Sequence, residues 1–245
     1  MLRIGNVRTG FHSIRLKYGI EVFKFICYIC LMTESTKYIE RRHRVMDKIA
    51  EKSDIEDKVI EAMKRVPRQM FIEPRLWNKA YEDRPLPIAA GQTISQIYTV
   101  AMQTNLLKLK EGDSVLEIGT GCGYQTAVLC ELGYKVFSIE RHEELYHIAK
   151  QNLKELGYNA LLVYGDGFEG LPQYAPFNGV LITCGAPEIP EELVKQLTIN
   201  GKMVAPIGRD MQEMMVIEKL SETENKITKE GAYRFVPMLS GKVDK

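Results

Sequence analysis

The stretch SVLEIGTGCGYQTAVLCELG, residues 114–133, decides the fold. It opens with a short apolar run around Val115, Leu116 and Ile118, the composition of a buried strand, and passes at once into a loop with Gly119, Gly121 and Gly123 at alternate positions. The YQTAVLCE that follows has no glycine or proline and reads as a helix closed by Gly133. A second apolar run, KVFSIE (135–140), comes next. Strand, glycine loop, helix and strand make the crossover unit of a parallel sheet. Alternate glycines let the backbone turn sharply and let a ligand approach the main chain. A dinucleotide fingerprint, GxGxxG, would need its third glycine at position 124, where Tyr124 stands, which argues against a nicotinamide or flavin dinucleotide. Taken alone, the loop is equally the tight turn of an ordinary strand-to-helix junction.

Toward the C-terminus the alternation continues. EELYHIAKQNLKELG (143–157) reads as a helix with Leu145, Ile148, Leu153 and Leu156 inward, and ALLVYGDG and NGVLITCG as further strands. PEELVKQL is a helix before the strand GKMVAPIG, and EMMVIEKL and YRFVPM are the last strand candidates. In such sheets a ligand sits outside the carboxyl ends of the strands. Three features stand there: the loop with Glu117 before it, Glu140 at the end of the second strand, and Gly165-Asp166-Gly167 at the end of the third. Glu140 suits a pair of ribose hydroxyls, or is a solvated acid at a strand end. Asp166 suits an adenine amino group, or belongs to a β-turn, for which Asp-Gly is a common choice.

Toward the N-terminus, Ser53 and Glu56 have the spacing of a capping box, with Ile55, Val59, Met63 and Val66 at helical intervals and Pro67 ending the helix. A long connector rich in proline and aromatic residues leads to SQIYTVAMQTNLLKLK, read as an amphipathic helix with Ile97, Val100, Ala101, Thr104 and Leu107 along one stripe. Between them lies GQTISQ (91–96). Whether Ser95 there is a helix cap, an activated nucleophile or something else is open at this point: no histidine stands within forty residues on either side, and Thr93 with Gln96 fits a second capping box.

Composition bounds the rest. An apolar fraction of 45% and a charged fraction of 27% are those of a soluble globular protein, and a net charge of +1 gives no reason to expect a polyanion partner. The five cysteines form no disulfide framework, which points to a reducing compartment. Cys27 and Cys30 have CxxC spacing, but no second pair completes the four ligands of structural zinc, so no metal is expected. The apolar run GIEVFKFICYICLM is interrupted by Glu21 and Lys24 and falls short of the ~20 apolar residues of a membrane span. No small-residue cleavage site follows it, and the first 34 residues are read as a loosely ordered extension, with Met32 a plausible first residue of the natural chain.

Glu117, two positions before the first glycine, together with the GxGxG spacing, resembles the first motif of Rossmann-like class I methyltransferases that use S-adenosyl-L-methionine (AdoMet). The resemblance implies that Glu117, Gly119, Thr120, Gly121 and Gly123 form the cofactor loop, that Glu140, followed by Arg141, meets the ribose, and that Gly165, Asp166 and Gly167 border the adenine. After the fourth strand stands TCGAPEIP (183–190), without the Pro-Pro-aromatic platform that holds a flipped base in amino-directed DNA methyltransferases. From about Ile55 onward the chain is similar to the protein-L-isoaspartate (D-aspartate) O-methyltransferases. VPRQMFIEP (66–74), AYEDRPLPI (80–88), GQTISQ (91–96), VLEIGTGCGYQTAVL (115–129), APF (175–177), APEIP (186–190) and RFVP (234–237) carry that similarity in the family's order.

The similarity implies an α/β fold with a seven-stranded, mostly parallel Rossmann-like sheet and an N-terminal helical portion. Residues 35–245 would be one methyltransferase domain, with 35–110 on the acceptor side and 111–245 as the AdoMet-binding core. The implied activity is methyl transfer from AdoMet to the α-carboxylate of L-isoaspartyl residues in damaged proteins and peptides. The ester then collapses to a succinimide that reopens in part to aspartate. A cytoplasmic monomer without nucleic-acid or membrane partners is implied. Ser95 is implied to contact the acceptor carboxylate, Gln92, Thr93 and Ile94 to line the AdoMet pocket, and Tyr98 to stand near the cofactor. A carboxyl group with a pKa of about 4 is already ionised at neutral pH, so no general base is needed and the lack of a histidine constellation is expected. The chain departs from the family at Ile97, where proline is usual, at Ala89 and Ala90, where a glycine-containing pair is usual, and at Cys184 and Gly185, where alanines are common. A sister methyltransferase with another acceptor, and a catalytically silent AdoMet-binding module, are the competing readings.

Overall fold

The computed structural model of the protein describes residues 35–244. The chain falls into two compact units, Met1–Glu40 and Arg41–Lys245, and the sheet and the site belong to the second. The apolar run before Met32 and the Cys27/Cys30 pair lie outside the described residues.

Three helices come first: α1 (Thr36–Ala50), α2 (Asp57–Arg65) and α3 (Ile97–Leu107). The connector before α3 holds short 3-10 turns and a two-stranded ribbon, β1 (Leu86–Pro87) antiparallel to β2 (Thr93–Ile94). Then β3 (Ser114–Ile118), α4 (Tyr124–Glu131), β4 (Lys135–Glu140), α5 (Glu143–Glu155), β5 (Leu161–Tyr164), β6 (Phe177–Ile182), α6 (Glu191–Lys195), β7 (Leu197–Ile207), β8 (Gln212–Lys219) and β9 (Asn225–Tyr233) follow. The seven-stranded sheet has the order β5-β4-β3-β6-β7-β8-β9, parallel through β7 and antiparallel in its last two pairs. The chain winds outward from β3 to β5 and returns to β6 on the other side of β3. That reversal opens a crevice at the carboxyl ends of β3 and β6, the place where doubly wound sheets bind ligands.

Strand alternation sorts side chains to the two faces. Val115 joins the core under α2, α3 and α4, whereas Leu116 and Ile118 join the core on the opposite face. Leu181 and Val180 divide in the same way on β6. All four of Val115, Leu116, Val180 and Leu181 are fully buried, at ~1.5–3 kcal/mol each, so the centre of the sheet is a stiff frame for what its ends carry.

Several local expectations are corrected. No capping box forms at Ser53 and Glu56: Ser53 Oγ donates to Ile49 O at 2.7 Å, while Glu56 N donates to Asn105 Oδ1 at 3.0 Å and its carboxylate pairs with Lys58 and Lys108. Helix α3 is not amphipathic, because it runs between the other helices and the sheet and buries Thr99, Gln103 and Thr104 as well as its apolar stripe. The polar groups find partners there: Gln103 Nε2 donates to Ile182 O at 2.9 Å, and Thr104 Oγ1 donates to Val100 O and accepts from Gln125. The last strand is NKITKEGAY rather than YRFVPM. β9 is an outer ribbon strand exposed along nearly its whole length, so it shows no period-two apolar signal. Beyond Tyr233 the chain instead crosses to the end of β6, where Gly185 N donates to Val236 O and Met238 N to Gly185 O.

Candidate active site

At the crevice, the ends of β3, β4 and β6 enclose a cleft of about 710 Å³ that is open to solvent. Gly119, Gly121 and Gly123 have φ of 92°, 57° and 92°, a left-handed backbone that favours glycine. A Cβ on Gly119 would also stand 2.6 Å from Thr183 Oγ1. That hydroxyl directs its proton at Ile118 O (2.9 Å) and Gly119 O (2.7 Å), so Thr183, at the end of β6, pegs the loop from the neighbouring strand. Gly119, Gly121, Gln92, Thr93, Glu140, Arg141 and Gly167 all line the cleft, as do Cys184 and the segment from Val236 to Leu239.

Glu140 is 4% exposed, and both of its oxygens are held by main chain: Oε2 accepts from Gly121 N at 2.8 Å and Oε1 from His142 N at 2.9 Å. Each keeps a lone pair for a further donor. Glu117 does not line the cleft. It shares the face of Val115, and period two turns it under α4 instead of out past the end of the strand. It is 0% exposed; Oε2 accepts from Thr126 Oγ1 (2.5 Å) and Ser138 Oγ (2.7 Å), and Oε1 has no partner. Burial pushes its carboxyl up to about 8 against the pull of those two hydrogen bonds, with the charge of Glu140 adding to the rise. Ser138 Oγ also meets Thr120 Oγ1 at 2.6 Å, so this buried cluster supports the glycine loop from below.

Asp166 and Gly165 lie just outside the lining. Asp166 Oδ1 accepts from Phe168 N (2.9 Å) and Oδ2 from Gly241 N (2.5 Å). Arg141 donates to Ser240 O (3.1 Å) and Gly241 O (3.0 Å). Together they strap the C-terminal segment across the rim of the cleft.

A second cavity of about 850 Å³, counting its open mouth, lies between Pro85, Thr93, Ser95, Gln96, Thr99 and Thr183 on one side and Ala232 to Val236 on the other. Thr93 and Thr183 line both spaces. Ser95 faces the second cavity and also the narrow gap toward Gly119 and Gly121, and among the described residues no group bonds its hydroxyl. Thr93 and Gln96 form no capping box, because Thr93 is held in β2. The start of α3 is capped from a distance: Asp83 Oδ1 accepts from Tyr98 N at 2.9 Å, and Oδ2 from Gln96 Nε2 at 3.1 Å. Ile94 borders only the gap, and the Tyr98 side chain borders neither space.

The sequence model of the family Protein-L-isoaspartate(D-aspartate) O-methyltransferase matches residues 40–243. The chain belongs to this family of AdoMet-dependent methyltransferases. It is 45% identical over 212 residues to the protein-L-isoaspartate O-methyltransferase of Christiangramia forsetii, covering 86% of this chain and all of that relative. It is 45% identical over 205 residues to protein-L-isoaspartate O-methyltransferase 1 of Archaeoglobus fulgidus, covering 81% and 93% of the two chains. A solved protein-L-isoaspartate O-methyltransferase superposes with a TM-score of 0.72 at 28% identity, over 80% of this chain and 65% of that one. A Plasmodium falciparum structure described as a complex with S-adenosyl-L-homocysteine shares the fold, with a TM-score of 0.70 at 24% identity over 81% and 98% of the two chains. The family's reaction, methylation of isoaspartyl residues for protein repair, is the function of this chain.

The cleft of this isoaspartyl methyltransferase fits AdoMet. Its floor is a glycine turn too close to Thr183 for a Cβ, and its wall is a carboxylate fixed through both oxygens. Sequence reading missed Thr183, the Pro237–Leu239 wall and Asp83. Thr183 is the first residue after β6 and could have been found by its place at the switch point. The other two meet their partners only through the fold, which no local pattern records.

Proposed function

We propose that, in methylating the α-carboxylate of L-isoaspartyl residues, the chain uses Ser95 as the hydrogen-bond donor that orients the acceptor. The observation that carries this reading is the position of Ser95, its hydroxyl unbonded among the described residues, between the cofactor cleft and the second cavity. AdoMet, when bound, supplies an electrophilic methyl group on its sulfonium sulfur. Glu140 would hold the ribose. Gly119, Thr120, Gly121 and Gly123 would allow the close approach of the methionine portion, with Gln92, Thr93 and Ile94 closing over it. Gly165, Asp166, Gly167 and Arg141 would frame the adenine end, and Glu117 and Tyr98 would act from behind by holding loop and helix.

The acceptor arrives ionised, so nothing in the second cavity has to remove a proton. The lining agrees: among its described residues there is no histidine and no carboxylate, while Arg234 adds positive charge. The enzyme's task is alignment, to which well-placed groups contribute much of a barrier's reduction. One donated bond from Ser95 fixes an oxygen of the carboxylate without neutralising it.

The proposal includes a monomer acting in the cytoplasm on protein substrates, without nucleic-acid or membrane partners. The charge of +1 supports the first of those exclusions. Among the described residues no helix is long and apolar enough to cross a membrane. Incubation with labelled AdoMet and an isoaspartyl peptide, beside its normal aspartyl twin, tests the function. Label is expected on the isoaspartyl peptide alone; equal labelling of both, or none, would overturn the assignment.

A further inference from the structure

Arg68 is 0% exposed, in the 3-10 turn Arg68–Phe71 of the VPRQMFIEP stretch. A buried guanidinium costs several kcal/mol, on the order of what a whole local packing defect costs, unless it is well bonded. Its bonds here go to main chain. Nε donates to Ala80 O at 3.0 Å and Nη2 to Ser95 O at 2.7 Å. The guanidinium carbon stands 5.0 Å from the ring centre of Tyr124, the first residue of α4 after the glycine loop. Nη1 has no hydrogen-bond partner. One side chain therefore touches the connector, the peptide of Ser95 and the helix that carries the cofactor loop.

The segment is held from its other side by Asp83, through the Tyr98 amide and the Gln96 side chain. The carbonyl of Ser95 is thus fixed by a donor, and Gln96 and Tyr98 just after it are fixed by an acceptor. Between these points the Ser95 hydroxyl is left unbonded among the described residues and faces the second cavity. A core built only for stability would hold this strand-to-helix turn with apolar side chains, as it holds Ile94 and Ile97. The Arg fork spans two separate carbonyls, Ala80 O and Ser95 O, with one bond to each, and so ties the Ser95 peptide to the connector in a fixed relation that apolar packing does not set.

We propose that Arg68, assisted by Asp83, is a positioning residue for methyl transfer, setting the Ser95 peptide so that its hydroxyl meets the acceptor carboxylate and tying it to the glycine-loop helix. The proposal rests on the role assigned to Ser95 above. It predicts that Arg68 acts on turnover through Ser95 and leaves cofactor binding alone.

A double-mutant cycle tests this, with Arg68→Lys, Ser95→Ala and the pair. Turnover and KM for an isoaspartyl peptide, S-adenosyl-L-homocysteine binding by calorimetry, and thermal melting are measured for each. Lysine keeps the charge but gathers its donors on one nitrogen, and so loses the fork. Arg68→Lys is expected to lower kcat at least tenfold with homocysteine-adduct affinity within twofold, and to change kcat less than twofold in the Ser95→Ala background. Equal fold-losses in both backgrounds would overturn the proposal while leaving Ser95 in its role, as would an Arg68→Lys kcat within twofold of the parent. A Ser95→Ala kcat within twofold of the parent would overturn both. Should Arg68→Lys melt without a cooperative transition, the exposed Asp83→Asn takes its place, with a two- to fivefold loss of kcat that vanishes in the Ser95→Ala background; an additive loss would overturn the proposal.

Discussion

The cofactor cleft and the acceptor cavity share a wall but are built differently. The cleft draws its floor and carboxylate from one run of chain, β3 to β4, where each residue is placed by the strand it ends. The cavity draws on Pro85, Ser95, Thr183 and Ala232 to Val236, which meet only in the folded molecule. Main-chain geometry fixes the first: left-handed glycines and amide bonds to Glu140. Side chains reaching across long separations fix the second, Arg68 to Ser95 and Asp83 to the start of α3. Apart from Thr93 and Thr183, which line both, the two spaces are held by different groups, so substitutions should separate cofactor binding from acceptor positioning.

The largest effect is expected at Glu140. Glu140→Ala removes both oxygens from Gly121 and His142 and from the ribose, and hydrogen bonds to charged groups are worth about 1.5–3 kcal/mol each. AdoMet affinity measured by calorimetry should fall about a hundredfold at the ~1.4 kcal/mol per decade of binding, with peptide KM little changed; an equal loss at both sites would break the separation. Ser95→Ala should do the reverse. Loss of one bond to a carboxylate, again about 1.5–3 kcal/mol, lowers kcat roughly ten- to a hundredfold with AdoMet affinity intact.

Glu117 sharpens the comparison from beneath the cleft. Its carboxyl is raised from 4.5 to about 8 by burial, so the folded state holds a proton that the unfolded state releases. The stability it contributes is fully present below about pH 4.5 and declines as pH rises through the folded value. Denaturation series between those limits should show the decline in the parent and a flatter profile in Glu117→Gln. Parallel profiles would mean that the carboxyl is ionised in the fold. The smallest effect is at Ala90, which has φ of 52° in the turn before Gly91. A non-glycine residue in that region costs roughly 1–2 kcal/mol, so Ala90→Gly should raise stability by about 1 kcal/mol in urea titration, the added chain entropy of glycine taking back part of the gain.

How much of this could be read from sequence follows the same division. The strands and helices from β3 to β8, the glycine loop and the place of Glu140 at a strand end are local and periodic, and each stands where the pattern puts it. Glu117 was expected in the cleft because it adjoins the glycines, but alternation along β3 turns its side chain under α4. Ser53 and Thr93 carry capping signals that lose to longer-range partners, since Asn105 and Asp83 reach the helix starts first. β9 escaped notice because a ribbon strand exposed along its length has no apolar face. Arg68 stood within a quoted motif, yet nothing in its neighbours tells that it would be buried against the carbonyl of Ser95.

The account turns on the claim that the acceptor brings its own ionised nucleophile and the protein only aligns it. The most direct test is kcat for an isoaspartyl peptide, with both substrates saturating, across about pH 5.5 to 7, where the acceptor carboxyl of pKa about 4 is already ionised. A level profile is predicted, with Ser95→Ala lowering the rate by the same factor at every pH. A tenfold rise per pH unit, the signature of a base that must lose a proton, would contradict the account.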